Sequence, residues 1–317
     1  MNNVSNLNNM CLVIDVKDWA FDNIAKKIQH MWYKKKGKQA LIITYDDLRR
    51  KIVSRTIKLS KYKYYLFMFL PHNDILKNRI KKYNNKNVII FSLYDNFTYK
   101  YSFFKNKFIN VDKFLVSSPK IYNNMLKHFN KTPDGYCIDG VDEKMFKYVG
   151  YDNLNKEKLV VGWIGNSDPQ INGINKGYKQ IVETLGDLSN NFIFKPLDRM
   201  VNFIPHNEVP NYIKDVDIIV CFSETEGTPN QILEASSSGK CWISTDVGIS
   251  RLLSDSIPNN KCGLIIKREK SDLKKKLLFL NENRNLLEEY GKNGRKAILK
   301  NFTWDMRMIA IFIAIGL

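Results

Sequence analysis

The stretch "DVDIIVCFSETEGTPNQILEASSSGKCWISTDVG", Asp215 to Gly248, spans one strand–helix–strand unit. Ile218–Phe222 and Cys241–Ser244 are short, apolar, β-branched-rich runs of buried-strand character. Between them, residues 229–238 carry helical spacing and stop at Gly239. A helix joining two such strands makes them parallel neighbours, so this segment predicts a βαβ unit. Thr228 stands where a helix N-cap belongs, Pro229 suits the first helical position, and Gln231 completes a Thr-x-x-Gln capping box.

That geometry also predicts a ligand site. In an open α/β sheet, ligands bind beyond the carboxyl ends of strands, where helix N-termini gather. Gly227, Thr228 and Asn230 would offer free backbone N–H groups and a positive dipole end to a phosphate, and Gly227 lets a ligand approach the backbone closely. Two glutamates frame the segment, Glu226 and Glu234, with seven residues between them. A carboxylate on the helix accepts two hydrogen bonds at once, which suits the adjacent hydroxyls of a ribose. Glu226, nearer the phosphate side, would orient sugar hydroxyls or stabilise charge at the anomeric carbon. The competing reading of this spacing is an acidic loop followed by an ordinary helix glutamate.

The same alternation runs along the whole chain of 317 residues. Strands are predicted at Cys11–Asp15, Ala40–Thr44, Tyr65–Leu70, Val88–Ser92, Lys113–Ser117 and Tyr136–Ile138. They recur at Leu159–Ile164, Phe192–Phe194, Val201–Ile204, Ile218–Phe222, Cys241–Ser244 and Gly263–Ile266. Helical spacing fills 177–187, 207–214, 229–238 and 270–299. The polar, turn-rich "KYVGYDNLNKEK" separates the two runs. The expectation is an α/β fold of two doubly wound, Rossmann-like domains whose parallel sheets face an interdomain cleft. Residues 1–150 form the N-terminal domain, 151–300 the C-terminal domain, and 301–317 a last helix packing back on the first.

Composition narrows the function classes. With 44% apolar and 26% charged residues the chain is globular. The N-terminal "MNNVSNLNNM" has no apolar core of a signal peptide, and "MIAIFIAIGL", Met308 to Leu317, is roughly half the ~20 residues of a spanning helix. Five scattered cysteines without CxxC spacing, Cys11, Cys137, Cys221, Cys241 and Cys262, read as buried thiols of a reducing, cytoplasmic compartment. Charge is uneven: residues 1–150 carry 28 Lys and Arg against 12 Asp and Glu, the remainder 22 against 20. A half with a net charge of +16 favours an anionic partner: a membrane surface, a lipid-phosphate acceptor or, less favoured, nucleic acid. Trp32 and Tyr33 beside Lys34–Lys36 fit a patch for a membrane surface, such as the inner face of a membrane, or for nucleic acid, or else an ordinary solvated face with snorkelling lysines.

Several stretches together resemble a known family. "EGTPNQILEASSSGKCWISTDVGI" is similar to the Glu-x7-Glu segment of family 4 glycosyltransferases, retaining enzymes of the GT-B fold. "VVGWIGNSDPQINGINKGYKQIVE" resembles the first strand, Gly-rich turn and Lys-Gly of that family's nucleotide domain, and "YCIDGVDEKMF" its interdomain region. The resemblance covers about residues 113–305. It implies a metal-independent, retaining transferase, of hexosyltransferase class, moving a sugar from a nucleotide-diphosphate sugar to an unknown glycan, lipid-linked or protein acceptor. No cofactor is implied. Glu234 would hold the ribose and Glu226 the donor sugar, while the backbone of Gly227, Thr228, Pro229 and Asn230 meets the diphosphate. Lys176 would neutralise the leaving group, and Gly165 with Asn166 forms the turn beside it. Many members carry an arginine where this chain has Asn166, which shifts phosphate neutralisation onto Lys176. The glycine-rich loop usual after the first strand is replaced by "VIDVKDWAF", with Asp15, Lys17 and Asp18.

Other motifs point elsewhere or nowhere. Asp215-Val-Asp217 has a DxD form but leads into a buried strand, so no metal site is expected there. His30, His72, His128 and His206 lack paired spacing. His72 and Asp95 follow strands of the first domain, where they would either face the cleft and assist the acceptor or, the favoured reading, be surface or core residues. GxSxG, P-loop and GxGxxG fingerprints are absent. Two alternatives to the transferase stay open: a nucleotide-sugar epimerase on a similar scaffold, and a nucleic-acid-binding protein using the basic half.

Overall fold

The protein is described here as a computed structural model covering residues 9–17, 20–68, 75–83, 87–93, 111–169, 173–314 and 316. Asp18, His72 and Asp95 lie outside the described residues. The chain divides into two compact units, Met1–Ile138 with Arg307–Leu317, and Asp139–Met306.

The first unit holds β1 (Asn9–Ile14), α1 (Ala20–Lys36), β2 (Leu41–Thr44), α2 (Tyr45–Val53), β3 (Tyr62–Phe67), α3 (Ile75–Tyr83), β4 (Val88–Leu93), β5 (Lys113–Val116), α4 (Pro119–Phe129) and β6 (Gly135–Tyr136). Its sheet runs β2-β1-β3-β4-β5-β6 with every pairing parallel. Cys11, Val13, Tyr65, Phe67, Ile89, Phe114 and Val116 alternate along these strands and build one core with Leu48, Ile80 and Ile121 from the helices. Trp32, expected at the surface beside Tyr33, is instead fully buried, edge-on to Tyr64 at 5.9 Å. An indole is too large an apolar body to leave in water when the helix can turn it inward. Tyr33, one residue on, faces solvent.

The second unit holds β7 (Leu159–Gly165), α5 (Gly173–Lys176), α6 (Tyr178–Gly186), β8 (Phe192–Asp198), α7 (Val209–Lys214), β9 (Ile218–Cys221), α8 (Asn230–Ser237), β10 (Cys241–Thr245), α9 (Ser250–Ser254), β11 (Leu264–Ile266), α10 (Lys270–Glu282) and α11 (Asn285–Ala297). A π-helical turn, Ile298–Phe302, leads into α12 (Trp304–Ala314). The sheet order is β11-β10-β9-β7-β8, again all parallel. Both sheets place their second strand beside the first and then reverse, so each is doubly wound. In the second unit the reversal falls between β7 and β9, and the crevice beyond their carboxyl ends is where such sheets bind ligands.

Three local expectations fail here. Val201–Ile204 is not a strand: β8 runs on through Pro196 to Asp198, whose carboxylate takes the N–H groups of Ser167 and Met200 at 3.1 Å and turns the chain. Pro196 is tolerated because β8 is an edge strand. Residues 270–299 are two helices, divided where the Arg284 guanidinium donates to the carbonyls of Leu154 (2.8 Å), Lys156 (2.5 Å) and Glu157 (3.3 Å). Thr228 does not cap α8. Pro229 occupies the N-cap position without a side-chain cap bond, and the Thr228 hydroxyl instead accepts the Asp139 N–H at 3.3 Å. With ψ at 89°, Pro229 is not yet helical, so the helix starts one residue late for a capping box. Pro229 also has no N–H for the Gln231 side-chain oxygen to accept, so the reciprocal half of the box is missing as well.

Candidate functional site

The crevice of the second unit is framed by the segments leaving the carboxyl ends of β7 and β9. After β9 the chain crosses Ser223, Glu224 and Thr225 to reach Glu226; beyond the turn at the end of β7 it reaches Asn175 and Lys176 on α5. Two glycines allow close approach here: Gly177 lets the β7 segment close on the end of β9, and Gly248 lets the segment after β10 close on Gly227. Gly177 has φ +67°, and a Cβ there would stand 2.6 Å from the Phe222 carbonyl oxygen. Gly248 has φ +52°, and a Cβ there would stand 2.2 Å from the Gly227 carbonyl oxygen. Only glycine satisfies both the left-handed backbone and the missing space.

Asn175 ties the two segments together. Its backbone carbonyl accepts the Glu224 N–H at 2.8 Å, its side-chain oxygen accepts the Thr225 N–H at 3.0 Å, and its amide donates to the Thr225 carbonyl at 3.2 Å. Lys176 is thereby presented to Glu226, and its amine forms an ion pair with the Glu226 carboxylate. Ser223 Oγ donates to the same carboxylate oxygen at 2.8 Å. Both charged side chains are largely shielded, at 15% and 14% exposure, so the pair is little weakened by solvent. Thr245 Oγ1 donates to the Ser223 carbonyl at 2.6 Å, fixing the loop from the β10 side.

Glu234 is buried within α8, and Oε1 meets His206 Nε2 at 2.8 Å. His206 opens the 3-10 turn His206–Glu208 and lies against the Phe146 ring, 5.5 Å between centroids. Gly165 ends β7, and Asn166 caps the next turn by accepting the Asp168 N–H at 2.9 Å. Gly227, Thr228 and Pro229 lead into α8, with Asn230 its first residue; Asn230 reaches Asp139 at 3.5 Å. The structure therefore unites Lys176 with Glu226, while Glu234 meets a histidine to which its sequence pattern assigns no role.

Sequence reasoning misses Asn175, Ser223, His206 and Arg268. Arg268 lies just past β11, donates to the Phe222 carbonyl at 3.3 Å and the Asn175 carbonyl at 3.4 Å, and stands 3.7 Å from Glu224. Its place beyond a strand's carboxyl end was the available signal. His206 offered none, because its partner is distant in sequence. The DxD carboxylates serve packing: Asp217 accepts the Val160 N–H at 2.7 Å and pairs with Lys156, while Asp215 pairs with Lys195 at 2.8 Å. Among the described residues, no cluster of His, Cys, Asp and Glu is arranged to hold a metal ion.

Comparison with known proteins agrees with this frame. Residues 173–297, which carry Lys176, Glu226 and Glu234, match the family model described as "Glycosyl transferases group 1". An uncharacterized glycosyltransferase of Methanocaldococcus jannaschii is 25% identical over 228 residues, 66% of this chain and 60% of the relative. The chain thus spans about three fifths of that relative's length. A solved glycosyltransferase from Rickettsia africae superposes with a TM-score of 0.75 at 13% identity, covering 98% of this chain and 99% of the other. Anabaena HepE in complex with UDP and glucose superposes with a TM-score of 0.70 at 11% identity, covering 97% and 99%. The fold is that of these solved GT-B glycosyltransferases, and residues 173–297 of the second unit resemble the group 1 glycosyl transferases.

Proposed function

We propose that the chain is a glycosyltransferase that moves a hexose from a nucleotide-diphosphate sugar to an acceptor, without a metal ion and with retention at the anomeric carbon. The observation that carries this reading is the shielded Lys176–Glu226 pair spanning the ends of β7 and β9, beside the start of α8. The backbone of Gly227–Asn230 receives the diphosphate, and the Lys176 amine meets the oxygen that gains charge as the C1–O bond breaks. The acceptor oxygen bonds to C1 on the same face, and its proton passes to the departing diphosphate. Ser223 holds the Glu226 carboxylate as the lysine turns to the phosphate, leaving Glu226 to orient the sugar hydroxyls. Glu234 takes the ribose hydroxyls in place of His206.

UDP-sugars are the first donors to test, because a neighbour of the same fold is solved with UDP and glucose. The basic first half suits an anionic bilayer as partner, placing the protein peripherally at the cytoplasmic face. Among the described residues, no helix is long and apolar enough to cross a membrane. A thermal-shift panel of nucleotide diphosphates and their sugars tests the reading, since a ligand of the folded state raises Tm. No shift with any nucleotide at millimolar concentration refutes it. Donor turnover without acceptor separates an epimerase from a transferase, and unchanged activity in chelator supports metal independence.

A further inference from the structure

The last helix is apolar on two sides. Met308, Ile311 and Phe312 are buried, with Phe312 edge-on to Trp32 at 6.1 Å, and Ala314 closes on Gly135 of β6. A helix packed by one face normally turns polar residues outward. Here Ile309 and Ile313, one turn apart, are 51% and 69% exposed. The stripe lies beside charge: Lys35 Nζ stands 4.8 Å from the Phe312 ring, Phe312 is the i+3 neighbour of Ile309, and Ile309 is in turn the i−4 neighbour of Ile313. Lys34, Lys36 and the exposed Tyr33 share the last turn of α1 with it. The acidic residue of α12, Asp305, sits in its first turn at the other end, and Asp22 of α1 is paired with Lys26 at 2.8 Å.

We propose that the outer stripe of α12 and the lysine-rich end of α1 form one surface that docks on an anionic phospholipid bilayer. Ile309, Ile313 and Tyr33 enter the boundary between headgroups and acyl chains, and the ammonium groups meet lipid phosphates. Apolar side chains rimmed by cations fit that boundary better than the other occupants. A second copy would set one lysine-rich end against another, because a two-fold interface apposes identical patches. Nucleic acid would satisfy the lysines and leave the isoleucines in water. The inference rests on the anionic partner proposed above and is independent of the donor chemistry.

The test uses the whole chain with Ile313→Cys, labelled by an environment-sensitive maleimide dye. The five native cysteines are buried, and burial raises the thiols of Cys11, Cys221, Cys241 and Cys262, so labelling is selective. Vesicles of phosphatidylcholine, with and without phosphatidylglycerol, are the probes. Expected are co-sedimentation and a blue-shifted dye with the anionic vesicles only. Ile309→Ser with Ile313→Ser, and separately Lys34→Glu with Lys35→Glu, should each weaken vesicle binding about tenfold or more while leaving Tm and far-UV circular dichroism unchanged. Sedimentation without a dye shift overturns this surface but leaves the anionic-partner reading standing. No sedimentation with anionic vesicles removes both. A blue shift in buffer alone that follows a doubling of mass by light scattering shows a second copy on the stripe and overturns the proposal.

Discussion

Replacing Lys176 by methionine keeps the length and apolar stem of the side chain and removes only its amine. A unit charge about 4 Å from a phosphate oxygen, at an effective dielectric near 20, is worth roughly 4 kcal/mol. Glu226 draws on the same amine, and part of the attraction already acts on the bound donor, so about 3 kcal/mol remains for the developing charge. That is a loss of about 10²-fold in kcat, the range seen when one preorganised donor is removed from an active site. Donor KM should change much less, because the diphosphate keeps the backbone of Gly227–Asn230. The substitution also leaves the shielded Glu226 carboxylate without its amine, held by the Ser223 hydroxyl. A stability loss of about 1–3 kcal/mol should accompany it and must be separated from catalysis. Lys176→Met with Glu226→Gln removes the orphaned charge and should recover most of that stability without recovering turnover. The assays are steady-state transfer, donor Kd by calorimetry and urea unfolding. A folded Lys176→Met protein with kcat within about threefold of the parent refutes the leaving-group role.

Other substitutions probe other parts of the fold. Glu234→Ala should weaken nucleotide-diphosphate binding by about 1.5–3 kcal/mol per lost hydrogen bond, read by calorimetry, while His206, 55% exposed in its side chain, loses its partner at little cost. Gly177→Ala should destabilise by about 2 kcal/mol or more, since φ +67° and the Phe222 carbonyl both oppose a Cβ; urea unfolding measures it. Lys240 is buried, donates to the Lys214 carbonyl at 3.0 Å and lies 4.7 Å from the Tyr151 ring; desolvation lowers its pKa from 10.5 to about 8. Between those values the unfolded chain holds more protons, so this lysine makes stability rise with pH, by about 2 kcal/mol at pH 9.5 and about 3 kcal/mol in full. Below pH 8 its contribution is flat; Lys240→Met should lack the rise, so the parent-minus-variant difference in stability should climb by that amount between pH 8 and 10.5.

The strand–helix alternation was readable because buried parallel strands are continuous apolar runs, and both sheets obey it. Glu226 was legible from its place between a buried strand and a helix, whereas Lys176 was legible only through the family resemblance; the structure brings the segments after β7 and β9 together. The features that escaped depended on distant partners. Val201 and Phe203 look like strand residues in isolation, yet Asp198 turns the chain through N–H groups from two separate segments and leaves both side chains exposed. The pattern over 270–299 continues unbroken because Leu273, Leu277, Leu280, Leu287 and Tyr290 all face one core. Arg284, bonded to carbonyls far back in the chain, supplies the division. Thr228 has the local chemistry of a cap, but a proline at the N-cap position and the Asp139 N–H redirect its hydroxyl.

The first unit is discontinuous, and this has a consequence for how the protein is made. Trp32 finds Phe312 only after the intervening residues 139–306 have left the ribosome. At 5–20 residues per second, that wait is roughly 10–30 s. During it the early sheet is complete but one side of Trp32 lacks its final cover, which makes the nascent half a natural client for a chaperone. A gene fragment ending at residue 138 would be caught at that stage, and supplying 307–317 as a separate peptide should rescue it.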